Sequence, residues 1–248
     1  MSHMFNNAIL FNQPIGKWNT SNVKTIEFML LKARAFNQNI NDWDTSKVTN
    51  MEWAFSGALA FNQPLDKWNT KNVQDMSNMF CWASSFNQPI NSWDTSKVTN
   101  MSFMFDWATY FNQPLNDWNT RNVKDMDSMF HEAVYFNQPL DKWNTSNVID
   151  MCDMFKSASS FNQDISSWDV RNVEYAAGIF VWAEKFYQDL SKWFFENYEP
   201  DSYTRMFDFS KMDEKRELYP TFTDKVDWIN EQLEKSEVIE DFQIIFKN

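Results

Sequence analysis

Glycine is nearly missing from this chain, at three of 248 residues. So little of it rules out a glycine-rich phosphate loop. Turns must instead use Pro, Asn and Asp, which reach them through a fixed φ or by hydrogen-bonding their own backbone. Histidine and cysteine are as scarce, at two each. Neither His3 nor His131 has a Ser, Cys or carboxylate at a recognised catalytic spacing, and no Cys/His metal spacing occurs. The expectation is therefore no catalytic residue, no metal and no cofactor, and not an enzyme. Long apolar runs are absent too, since none approaches the roughly 20 residues of a membrane span. No basic and then apolar leader opens the chain. Without a leader or a span, an intracellular or virion-associated protein is expected, or a cell-surface one if a leader was removed. Basic charge is also short: the net charge is −12, and residues 195–248 hold 14 acidic against 7 basic side chains. Such a surface repels phosphate backbones and anionic lipid, so neither nucleic acid nor membrane insertion is expected.

What the chain has in excess is aromatic residues, with 24 Phe and 13 Trp, and they recur. Phe-Asn-Gln begins at Phe11, Phe36, Phe61, Phe86, Phe111, Phe136 and Phe161, every 25 residues, and returns as Phe-Tyr-Gln at Phe186. A period of this size marks stacked units, each of which buries its apolar face only against its neighbours. Residues 1–193 read as about eight repeats with the first truncated, and 194–248 as an acidic C-terminal capping region. Within that region Asp224 to Lys235 places Val226, Ile229 and Leu233 on one helical face, and Val238 to Phe246 is a second apolar segment.

Two periodicities share each unit. Val73, Met76, Met79, Phe80 and Ala83 are spaced by three and four, which predicts a helix with one face inward. The preceding Thr, as in Thr45 and Thr70, reads as its N-cap, and Asp75, Asp125 and Asp150 as first-turn carboxylates favoured by the dipole. Pro64 bars the other half from a helix, so Phe61 to Trp68 reads as extended and able to pair with adjacent coils. The fold expected is an α/β repeat solenoid, leucine-rich-repeat-like, with one helix and one short extended segment per coil.

Constant columns explain folding and variable ones carry candidates for function. The Asn-Gln column reads as a hydrogen-bonded amide ladder, and the Phe, Trp and Met columns as core. Cys81 and Cys152 stand in different columns of repeats three apart, too distant for an internal disulfide, so reducing surroundings are expected. His131 shares a column with Cys81, Asp106 and Lys156, and reads as an exposed variable position. Trp82, Trp107 and Trp182 share a column with Lys32, Gly57, Glu132 and Ser157, so the fold does not require an aromatic there. Trp53, Phe103 and Phe28 alternate with Asn78, Ser128 and Asp153, while Tyr110 and Tyr135 stand opposite small residues. Exposed aromatics on a rigid frame are common interface anchors. The expected binding patch is centred on Trp82, Trp107, Tyr110 and Tyr135, with Trp53, Phe103 and Trp182 as further candidates.

Phe61-Asn62-Gln63-Pro64-Leu65-Asp66-Lys67-Trp68-Asn69-Thr70, followed by Val73 and Met76-Ser77-Asn78-Met79-Phe80, resembles the repeat of BspA-like leucine-rich repeat proteins. That is the mycoplasma-lipoprotein type, found also in other bacteria and in giant viruses. The resemblance implies a leucine-rich-repeat-like solenoid and, for many relatives, surface display with adhesion or host interaction. A protein partner is therefore expected, bound by a non-enzymatic recognition scaffold. Self-association through the open first coil is the alternative, and a carbohydrate-binding module is a weaker one.

Overall fold

The computed structural model describes residues 1–196, 205–212 and 215–222. The apolar segments at 224–235 and 238–246 lie outside the described residues. Successive 25-residue units stack in parallel register, marked by bridges that run Thr25, Asn50, Asp75, Asn100, Asp125, Asp150, Tyr175. The helix-and-strand coil read from the sequence, and with it the leucine-rich-repeat-like architecture, does not form. No α-helix occurs among the described residues. Their regular elements are β1 (Phe194–Phe195), β2 (Thr221–Phe222), which pairs with it in parallel, and one 3-10 turn at Arg216–Leu218. No helix among them is long and apolar enough to cross a membrane.

Hydrogen bonding explains the difference. An α-helix consumes each N–H internally, four residues back. In the segment from Met51 to Ala58, every second N–H leaves the coil instead: Met51, Trp53, Phe55 and Gly57 donate to the carbonyls of Asp75, Ser77, Met79 and Cys81 at 2.7–3.0 Å. The N–H groups between them, on Ala54, Ser56 and Ala58, close overlapping β-turns by bonding three residues back. A run of turns brings Met51, Ala54, Phe55 and Ala58 to the inside, so the apolar spacing mimics a helical face. The third residue of two of these turns takes a positive φ, 55° at Trp53 and 68° at Gly57, as in a type II turn.

The threonines do not cap helices either. Thr45, Thr70, Thr95, Thr120 and Thr145 are buried, and each hydroxyl donates to a carbonyl of the next coil at 2.9–3.1 Å. Asp75, Asp125 and Asp150 stand at the bridges, where their Oδ1 atoms accept the N–H two residues on, forming Asx turns rather than dipole contacts. The half from Phe61 to Trp68 is joined to its neighbours by side-chain ladders and not by paired strands. Asn37 Oδ1 accepts from both Asn62 N–H and Gln63 Nε2 at 3.0 Å, and the same pair of bonds recurs up to Asn162. Each indole from Trp43 to Trp193 donates Nε1–H to the carbonyl 28 residues earlier, at 2.9–3.1 Å.

The core is a set of aromatic files. Phe36, Phe61, Phe86 and Phe111 stack at 5.9–6.0 Å, and Trp68, Trp93 and Trp118 at 6.3–6.4 Å. Phe80 lies 3.9 Å from Phe86, which joins two files within one coil. Residues 205–212 continue the turn pattern at a displacement of 27: Arg205 and Phe209 repeat the positive φ of Gly178 and Trp182. There Phe207 stacks on Phe180 at 5.6 Å.

The bridge file concentrates negative charge. Burial pushes Asp127 up to about 6; the Ser128 hydrogen bond opposes this, and repulsion from Asp150, Asp125 and Asp153 adds to it. Asp125 is raised as well, chiefly by burial. A carboxyl raised above its ordinary value of about 3.9 keeps its proton in the folded state after the unfolded chain has lost it. Stability therefore falls as pH rises from about 4 to about 6. Because Asp127 is only partly buried, solvent screening limits the loss to about 1 kcal/mol. Asp127→Asn is expected to reduce that fall, leaving the part that Asp125 contributes, and to raise stability at pH 7 by up to a similar amount, as read from urea midpoints across pH. A pH profile identical to wild type would refute the assignment.

Candidate functional site

Two columns of left-handed backbone run along one face. The first holds Phe28, Trp53, Asn78, Phe103, Ser128, Asp153 and Gly178, and the second holds Lys32, Gly57, Trp82, Trp107, Glu132, Ser157 and Trp182. The N–H of Trp82 donates to Asp106 O, and that of Trp107 to His131 O, at 2.7–2.8 Å. The stack thus imposes the conformation whatever side chain is present. Gly57 and Asn78 adopt it at little cost, whereas a bulky residue there stores about 1–3 kcal/mol. Phe28, Trp53, Trp82, Phe103, Trp107, Trp182 and Phe209 all carry that strain.

Six of these side chains stack in pairs. Trp82 and Trp107 lie 4.6 Å apart with planes 8° from parallel. Both are open to solvent, at 49% and 36% exposure. Phe28 stacks on Trp53 at 6.0 Å and Trp182 on Phe209 at 4.2 Å. Tyr110 and Tyr135 form an exposed pair at 5.4 Å. Trp53, Trp82, Phe103 and Trp107 are brought together around one cavity of 830 Å³. Tyr110 and Tyr135 are not in its lining, and Trp182 stands three coils beyond Trp107.

Polar groups stand at the two ends of this cavity, and beside one of them the reading of His131 as an exposed variable position is corrected. Its column points inward. Cys81 and Asp106 are buried, and the Cys81 thiol donates to Asp106 Oδ2 at 3.3 Å. His131 Nδ1 lies 2.8 Å from Asp106 Oδ1. Burial first, then the Asp106 charge, pushes the Cys81 thiol far above its ordinary range. At neutral pH it is a protonated hydrogen-bond donor and not a nucleophile. Among the described residues, no group of three or more His, Cys, Asp and Glu could hold a metal ion. The opposite end of the cavity is rimmed by Lys32 and Arg34, both exposed and in no ion pair among the described residues. From Arg34 to Thr109 the cavity crosses four coils, about 14 Å at the spacing of paired strands. It is thus an apolar trough with cations at one end and a carboxylate at the other.

Column reasoning found the four aromatic walls. It missed Asn78, Gly57, Cys81, Asp106, Lys32 and Arg34, all of which line the same trough. The 25-residue displacement alone would have placed Cys81 against Asp106 and Asp106 against His131.

A family model described as "Mycoplasma protein of unknown function, DUF285" matches residues 1–81, 51–147 and 115–218. No curated protein and no solved structure matches the chain.

Proposed function

The chain belongs to the DUF285 family of mycoplasma-type repeat proteins, and on that repeat frame we propose a non-enzymatic recognition module that binds another protein through its aromatic face. The observation that carries this reading is the placement of Trp and Phe at left-handed positions where Gly57 and Asn78 fit without strain. Local strain held by a rigid frame concentrates at binding sites, and large exposed aromatics supply most interface energy. The protonated state of Cys81 supports binding over catalysis. The likeness of the repeat to BspA-like proteins supports a host-facing setting.

The test compares capture from host-cell lysate by the wild-type chain and by the Trp82→Ala, Trp107→Ala, Tyr110→Ala, Tyr135→Ala variant. Loss of captured proteins is expected, and unchanged capture would sink the reading. Trp82→Gly and Trp107→Gly separate binding from folding. Each relieves about 1–3 kcal/mol of strain, against a lost ring stack of about 0.5–1.5 kcal/mol and the greater unfolded freedom of glycine, about 0.5–1 kcal/mol. Each is expected to stay within about 1 kcal/mol of wild type in denaturant unfolding while weakening capture.

Trp18 in the first coil is 40% exposed, whereas Trp43 and Trp68, in its column, are 4% exposed. This favours a second reading, association between copies through that coil. Light scattering separates the two, because the first reading expects a monomer and the second a mass that grows with concentration. Carbohydrate binding through the aromatic files is a third and weaker reading, which a glycan array without hits would dismiss.

A further inference from the structure

The first left-handed column is interrupted inside the trough. Trp53 and Phe103 stand in it two coils apart, and the coil between them carries Asn78. Where neighbouring coils both carry rings on this face, the rings are parallel: 9° between Phe28 and Trp53, and 8° between Trp82 and Trp107. Two coil steps span about 9.6 Å at the spacing of paired strands. A flat ring halfway between Trp53 and Phe103 would then sit about 5 Å from each, within the range of stacked aromatic pairs. Asn78 is only half-buried, and its side-chain amide has no hydrogen-bond partner among the described residues, unlike Asn50 and Asn100, whose Oδ1 atoms accept a backbone N–H. The gap therefore lies between two aromatic side chains, Trp53 and Phe103, with an amide free to accept or donate in the coil between them and the Trp82–Trp107 stack beside it.

We infer that Trp53, Asn78 and Phe103 form a slot that takes one aromatic side chain of a protein partner, with an indole N–H or phenol O–H bonded to Asn78. This rests on the recognition reading above and adds the chemistry of the occupant. Charge complementarity extends the description. Lys32 and Arg34 lie two coils from Asn78 along the trough, about 10 Å, which an extended segment covers in three residues. The segment that fits has an aromatic residue with an acidic residue three positions away. The net charge of −12 disfavours the phosphates that a nucleobase would bring.

The probe is a fluorescein-labelled peptide, Asp-Gly-Ser-Trp-Ser-Gly-Asp, which carries the acid on both sides and so allows either chain direction. Anisotropy is read with the full chain. The wild type is expected to bind it at least tenfold tighter than the peptide with Trp changed to Ala, and tighter than the peptide with both Asp changed to Lys. Asn78→Phe fills the gap with a side chain that Phe28 and Phe103 already hold in this column, so it is expected to fold, with an unfolding midpoint lowered by the strain of a bulky residue at this left-handed position. It should abolish the preference for Trp. Trp53→Gly, which keeps the left-handed backbone and removes one wall, is expected to weaken the Trp peptide at least fivefold. Equal affinity for the Trp and Ala peptides overturns the slot, as does undiminished binding by Asn78→Phe. In either case the capture experiment with the fourfold alanine variant still decides the broader reading separately. Displacement of the peptide by adenosine at lower concentration than by N-acetyl-tryptophanamide overturns the protein occupant in favour of a base.

Discussion

Trp93→Ala is expected to lower the unfolding free energy by about 4 kcal/mol. Trp93 is 3% exposed and lies between Trp68 and Trp118 at 6.4 and 6.3 Å, with Phe80 at 6.2 Å. Removing an aromatic side chain from such a site costs about 3–5 kcal/mol, because the lost apolar contact is compounded by the cavity left behind. Its Nε1–H also donates to the carbonyl of Leu65 at 3.0 Å, which the backbone N–H of Trp68 shares at 3.1 Å. Trp93→Phe keeps a ring in the file and loses the bond, so about half the effect is expected. The site matters beyond its local term. A stacked array is held by interfaces between neighbours, so damage in a middle coil weakens the coupling of the two ends. Guanidinium unfolding followed by far-ultraviolet circular dichroism is expected to show a lower midpoint and a shallower transition. A loss below 1 kcal/mol would mean that the tryptophan file is not what holds adjacent coils together.

The period in the sequence identified the interior almost residue by residue. Met76, Met79, Phe80, Ala83, Phe86 and Trp93 are all buried. What it could not convey was how the backbone is satisfied. Spacing by three and four is shared by a helix and by a run of overlapping turns, since both return to the same side after about one revolution. The two differ in where alternate N–H groups go, and that is decided by the neighbouring coil. The left-handed residues were the overlooked sign. A helix at 76–83 would not hold Gly, Asn, Asp and Ser so often at just two columns, the ones occupied by Gly57 and Gly178, Asn78 and Asp153. Threonine was misread for the same reason. Its hydroxyl suits a cap in a helical frame, but in stacked coils it meets the carbonyl of the next copy.

The candidate site was legible where copies differ and hidden where chemistry lies across coils. Trp53, Trp82, Phe103 and Trp107 stood out because small or charged residues replace them elsewhere in their columns. Asn78 did not, because in sequence it reads as one more polar substitution. It acquires meaning only from the rings one coil above and one below. Cys81, Asp106 and His131 were dismissed for lack of a short-range motif, although a displacement of 25 is contact distance in this architecture.

Asn87→Ala is expected to cost about 2 kcal/mol, and Asn87→Asp less than about 1 kcal/mol. Asn87 Oδ1 accepts the N–H of Asn112 at 3.0 Å and Nε2 of Gln113 at 2.9 Å, while its own N–H donates to Asn62 Oδ1 at 3.0 Å. Alanine keeps the bond made by the backbone N–H of residue 87 and deletes the acceptor, leaving two donors of the next coil without a partner. Each such loss is worth about 1–3 kcal/mol when the group is screened from water. Gln113 can turn its amide toward solvent, whereas the N–H of Asn112 is fixed by the coil, so the total stays near the cost of one orphaned donor. Aspartate restores an oxygen in the same place and makes charge-assisted bonds to both donors. Its charge sits on the partly buried flank of the stack, which limits the penalty. Gln88 donates to Asn62 Oδ1 and accepts nothing in the ladder, so Gln88→Ala is expected to lose only about 1 kcal/mol. Hydrogen exchange distinguishes the ladder from simple packing: protection at the Asn112 amide is expected to fall in Asn87→Ala and to be retained in Asn87→Asp. Equal protection in both variants would show that the asparagine file fills space and does not link one coil to the next.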